Sequence, residues 1–156
     1  MRAVSVLEDY VVTDQIIKNS GELLRSTLDG DEKAVAKALD ASHMHVTSNR
    51  SYNNEEALQS AIYLAYIYAL NKYTVIKEMT AGRGFADVVF IPFEADLPAM
   101  VIELKHNKTA ESTLAQIKEK KYFTSLDTFK GEVLLVGVNY DEATKEHACK
   151  IEKITK

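Results

Sequence analysis

Two short runs, Val88-Val89-Phe90-Ile91 and Met100-Val101-Ile102, are apolar at every position. A strand with one face in water alternates between apolar and polar; a run without that alternation is covered on both faces. Pro92 closes the first run and Pro98 opens the second, and proline, lacking an N–H, marks the ends of such strands. A sheet buried on both sides needs helices on both, so these seven residues already demand an α/β layering. Each run is also flanked by one acid. Asp87 precedes the first and Glu103 follows the second, with 15 residues between them, and Lys105 stands two beyond Glu103.

The rest of the chain supplies the covering elements. Thr13 to Leu28 repeats apolar residues at helical spacing (Ile16, Ile17, Leu23, Leu24, Leu28) and stops at Asp29-Gly30. Asp31 to Leu39 is a second, shorter helix with Asp31 as its cap. The polar stretch Ser48 to Asn54 separates these helices from the remaining two thirds of the chain, so residues 1–50 read as an N-terminal helical segment and 51–156 as the main domain. Asn54 is placed to cap a helix from Glu55 to Asn71, with Leu58, Ile62, Ala65, Tyr66 and Ala69 on its buried side. Strands are expected over Tyr73–Lys77, Phe85–Ile91, Ala99–Lys105, Glu132–Val138 and His147–Ile154, with a helix over Thr109–Phe123 turning Leu114, Ile117 and Tyr122 inward. From Asn54 onward the order is α-β-β-β-α-β-β.

An acid inside an apolar strand requires a reason, because an uncompensated buried charge costs several kcal/mol. A divalent cation held by Asp87 and Glu103 would compensate both. Oxygen donors of this kind suit Mg²⁺ or Mn²⁺ rather than zinc, and with Cys149 the one cysteine, a thiolate zinc cluster is excluded. Residues two apart on a strand share a face, roughly 7 Å apart, so Lys105 stands beside Glu103. The backbone carbonyl of Leu104, between them, is a further candidate ligand. Carboxylates, a hard cation and an ammonium together can activate water and offset charge on a phosphodiester.

Other features narrow the classes open to the chain. No apolar run approaches the roughly 20 residues of a membrane helix, the N-terminus meets Glu8 and Asp9 too early for a secretory signal, and a lone cysteine suits a reducing cytoplasm. The net charge of −4 is not the broad basic footprint of many nucleic-acid binders, although lysines gather at 105, 108, 118, 120 and 121.

The spacing of Asp87 and Glu103-x-Lys105, with Gly82-Arg83-Gly84-Phe85-Ala86 before it and Gln116-Ile117-Lys118-Glu119-Lys120-Lys121-Tyr122 and Leu134-Leu135-Val136-Gly137-Val138 after it, resembles the PD-(D/E)XK nuclease superfamily, in particular the domain found C-terminal to AAA-ATPase-like regions. The resemblance runs from about Asn54 to Lys153. It implies a restriction-endonuclease-like core, α-β-β-β-α-β, with a central mixed sheet flanked by helices. It implies Asp87 and Glu103 as metal ligands, Lys105 as the catalytic lysine, Glu55 as the acid of the first helix completing the metal site, and Gln116 as a polar residue near it. Ala86 stands where the superfamily's name has proline. The activity implied is metal-dependent cleavage of nucleic acid, DNA before RNA, with an ATPase-like region or partner upstream, residues 1–50 as its remnant, and a homodimer as one arrangement open to it. Arg83, Lys118 and Lys121 are candidates for the nucleic-acid backbone. The competing expectation is a nuclease-fold interaction module that no longer cuts; such a chain would usually have lost the lysine or an acid, and neither is missing here.

Several residues have plainer readings. Glu55 would also complement its helix dipole. Glu78 is either an outer acid of the site or a surface residue. His43-Met44-His45, in a loop-like setting without further ligands, is not read as a metal site. His106 is read as a strand-end residue, and Tyr63, Tyr66 and Tyr68 as core and packing residues rather than a stacking face.

Overall fold

The computed structural model describes residues 17–46, 62–79, 86–119, 126 and 129–156, with the backbone alone at 42–46, 77–79, 86–87 and 119. Five strands form one sheet in the order β1-β2-β3-β4-β5: β1 Tyr73–Met79, β2 Ala86–Pro92, β3 Ala99–His106, β4 Glu132–Asp141 and β5 Glu146–Thr155. Neighbours run antiparallel except β3 and β4, which are parallel. The helices are α1 (residues 17–28), α2 (Glu32–Val46), α3 (residues 62–65, passing into a 3-10 turn, Ile67–Asn71) and α4 (Ala110–Glu119). The chain is thus α/β, a mixed sheet flanked by helices, consistent with a restriction-endonuclease-like fold.

The apolar runs that demanded two covered faces have them. Val88, Phe90, Met100, Ile102, Leu104, Leu134, Val136 and Val138 face a core shared with Leu23 and Leu24 of α1, Val35 and Leu39 of α2, and Ile62, Ala65, Tyr66 and Ala69 at and after α3. Val89, Ala99, Val101, Val133 and Leu135 point the other way, toward Ile117 of α4 and Leu126. The N-terminal helices therefore pack on the sheet rather than standing apart from it. Tyr66, at the end of α3, ties that helix to α1. The Thr27 hydroxyl donates to the Leu23 carbonyl at 2.8 Å, so at the 2.8 Å contact between Thr27 and Tyr66 it is the phenol that donates.

Local signals fell largely where expected. Asp31 caps α2, accepting from the Ala34 N–H at 3.1 Å. Gly30 takes the left-handed φ of 74° that ends α1. Thr109 and Ser112 cap α4 reciprocally, Ser112 N–H to Thr109 Oγ1 at 3.0 Å and Thr109 N–H to Ser112 Oγ at 3.3 Å. Four expectations need correction. The backbone of His43-Met44-His45 is helical, not a loop, because α2 continues to Val46. The helix expected to reach Asn71 tightens into a 3-10 turn after Tyr66. Strand β1 runs two residues beyond Lys77, to Met79, in register with β2. Strand β4 continues past Val138 to Asp141, because β5 pairs with it along that whole length.

Candidate active site

Strand register brings the acids together. Asp87 on β2 and Glu103 on β3 are direct partners, and Glu103 is in turn opposite Gly137 on β4. Because Val101 and Leu135 face α4, the residues two along from each share that face. Glu103 and Gly137 thus form one row under α4, with Asp87 the β2 register partner of Glu103, and Lys105 with Asn139, also register partners, form the next. Glu103 is fully buried, at 0% exposure, and Lys105 nearly so at 8%.

The glycine in that row has a physical role. A Cβ built on Gly137 would lie 2.6 Å from the Leu114 nitrogen and 2.9 Å from its Cα. Only a residue without a side chain lets the N-terminal half of α4 lie this close to the sheet, and this closeness roofs the row containing Glu103. On α4, Ala110, Thr113 and Ile117 are buried, and Thr113 donates to the Thr109 carbonyl at 2.8 Å. Gln116 is partly buried on the same helix, with a buried Oε1 that accepts no hydrogen bond among the described residues.

The remaining candidates are distributed unevenly. Glu55, Arg83 and Lys121 lie outside the described residues, as does the side chain of Asp87. Lys118 is exposed at the end of α4 and pairs with Glu152 of β5 at 3.0 Å. Leu104 is a β3 residue between Ala86 and Val138, with its side chain in the core opposite the α4 face. His106 is partly buried at the end of β3.

A family profile matches residues 53–149, well over half of the sequence. The chain belongs to the PD-(D/E)XK nuclease superfamily. A comparison with curated proteins gave no match. Membership points to a nuclease-type function and a nucleic-acid substrate, and such nucleases typically use divalent metals. The donor chemistry here fits a metal of that kind. Asp87 and Glu103 bring two carboxylates to adjoining strand positions, and thiolate ligands are absent from that row; hard oxygen donors hold Mg²⁺ and Mn²⁺. Among the described residues no three acid, histidine or cysteine side chains gather, the side chains of Asp87 and Glu55 not being among them. No described helix is long and apolar enough to cross a membrane.

Two residues that stand beside these candidates, Gly137 and Asn139, are not singled out by sequence reasoning as candidates. Gly137 carries the signal that flagged Asp87 and Glu103, a break in an apolar run. Asn139 falls one residue past Val138, where local pattern ends the strand, and so outside the run that would mark it.

Proposed function

We propose that the protein is a metal-dependent nuclease hydrolysing phosphodiester bonds, with DNA as the preferred substrate. The observation that carries this is the direct register of Asp87 with Glu103, under the α4 roof, with Lys105 on the same face two residues on. Asp87, Glu103, Glu55 and the Leu104 carbonyl would hold one or two Mg²⁺ or Mn²⁺ ions. A divalent ion bound there supplies Lewis acidity and lowers the pKa of water.

The chain's own groups do the rest. Lys105, buried and cationic, orients the attacking water and counters charge building on the phosphate oxygens. Burial strengthens that interaction because little water screens it. Gln116 adds a neutral polar contact from α4. Arg83, Lys118 and Lys121 follow the nucleic-acid backbone; the Lys118–Glu152 pair is exposed, and pairs of that kind are worth little, so a phosphate can displace it. An ATPase-like region or partner, a second copy of this chain and a cytoplasmic setting belong to the same proposal.

The test is incubation with single-stranded, double-stranded and branched DNA, and with RNA, in Mn²⁺. Cleavage by the wild type that falls by at least about 10² in Lys105→Ala and Asp87→Ala, with the circular dichroism unchanged, supports the proposal. Variants that cut as fast as the wild type overturn it.

A further inference from the structure

Asn139, at 5% exposure, is one of the few buried polar residues among those described, and four of those few gather in one place. Glu103, Lys105, Asn139 and Thr113 all lie where the C-terminal ends of parallel β3 and β4 meet the first turns of α4. In α/β sheets that end of parallel strands is where sites form. Asn139 is the direct register partner of Lys105, on the same face, and neighbouring strands lie about 4.8 Å apart.

Its amide oxygen is committed. Asn139 Oδ1 accepts the Lys108 N–H at 2.8 Å. One residue earlier the Asn107 N–H donates to the Tyr140 carbonyl at 2.8 Å, and Asn107 takes a left-handed φ of 57°. Its side-chain oxygen accepts the Glu142 N–H at 3.1 Å. Two of the three residues between β3 and α4, Asn107 and Lys108, are therefore fastened to β4 and the turn after it, and among these fastenings Asn139 is the β4 side chain on the α4 face. An apolar residue of similar size would leave the Lys108 N–H without its acceptor at the point where the chain leaves Lys105 and enters α4.

We propose that Asn139 is a positioning residue of the nuclease site: its amide oxygen holds the β3–α4 turn and so sets where the Lys105 ammonium stands relative to Glu103 and the substrate phosphate. The role in cleavage rests on the nuclease reading above; the holding of Lys105 does not. The length of the Asn side chain is what places its oxygen under the Lys108 N–H. Asp keeps that acceptor, while Ala and Ser do not reach it.

Three measurements on the full chain test this. In Asn139→Ala, hydrogen exchange at the Lys108 amide and acetylation of Lys105, scored against exposed Lys130 by mass spectrometry, should each rise about tenfold, the measure of one lost hydrogen bond. Cleavage should lose about tenfold or more in kcat with KM within twofold. Asn139→Asp should keep amide protection and Lys105 labelling near wild type. If Asn139→Ala does not fold, Asn139→Ser carries the same expectations. Wild-type labelling and kcat in folded Asn139→Ala or Asn139→Ser overturn the proposal, as does equal loss of Lys108 protection in Asn139→Asp. A wild type that cuts no nucleic acid sinks the nuclease reading, and the exchange and labelling still decide whether Asn139 holds Lys105.

Discussion

Glu103 enters the sheet from within, on a central strand between Ile102 and Leu104 and with no exposed surface. Glu32 and Asp40 reach the sheet from outside, from α2, and remain partly exposed. Their partners are plain. Asp40 accepts the His147 N–H and contacts the His147 ring nitrogen, both at 2.7 Å, and Glu32 accepts the Ile151 N–H at 2.7 Å. Gly131 and Lys156 exchange both backbone bonds, so by antiparallel alternation residues 147 and 151 turn their N–H groups away from β4, out of the sheet's edge. The spacing matches: eight residues of helix span about 12 Å and four of strand about 13 Å. The α2 acids therefore close an open edge that would otherwise pair with another chain. A carboxylate serving the fold takes backbone donors and keeps water nearby. A carboxylate placed at the low-dielectric centre of a sheet costs stability, which is the expectation for a site residue.

That contrast can be broken most sharply by metal. Mn²⁺ at about 100 times its Kd should raise the stability of the wild type by about 2.7 kcal/mol, and Glu103→Gln should abolish the rise, whereas Glu32→Ala and Asp40→Ala should leave it intact. Thermal melts with and without the ion decide this, and a full metal effect in Glu103→Gln would count against the site. Gly137→Ala tests the roof over the same row. Its Cβ meets backbone at 2.6 Å, so α4 must shift, and urea unfolding should register a loss of about 1–3 kcal/mol together with a fall in cleavage. At the other acids, Asp40→Ala should cost about 1–3 kcal/mol by leaving a buried strand N–H without its acceptor, with kcat of the folded protein unchanged. A change in kcat there would erase the distinction between the two kinds of acid.

The smallest effect concerns Cys149, which lies under α2 between the two clamped N–H groups. Burial, reinforced by the Glu32 carboxylate, pushes its thiol up to about 12. The neutral thiol is the form the fold favours, so the stability it contributes is complete below the unfolded value of 9.0 and is lost as pH rises from there through the folded value. The slope is about 1.4 kcal/mol per pH unit for one group. Alkaline unfolding of the wild type against Cys149→Ala should show this difference in slope. At neutral pH the native thiol should resist alkylation, while unfolded protein reacts.

Much of the architecture was legible because it depends on local pattern. The continuous apolar runs announced a twice-covered sheet, and the spacing of Ile62, Ala65, Tyr66 and Ala69 announced one buried helical face. Asp31, Gly30 and Thr109 marked helix ends through chemistry confined to a few neighbours. Strand length was less legible. Glu132 to Val138 reads as a strand by itself, but Asn139, Tyr140 and Asp141 are strand residues because Ala148, His147 and Glu146 pair with them. Hydrogen bonds to a distant segment leave no trace in local propensity.

The sequence by itself determined the layering, the superfamily, and the presence of acids at the ends of buried runs, since an acid or a glycine in such a run stands out against the cost of putting it there. Only the tertiary structure decided which residues meet. Register, not spacing, sets Asp87 against Glu103, Lys105 against Asn139 and Glu103 against Gly137. Whether an acid is tied to the fold depended on the same information. Glu32 and Asp40 look like any exposed helix acids until β5, more than 100 residues away in the chain, presents its edge N–H groups to them.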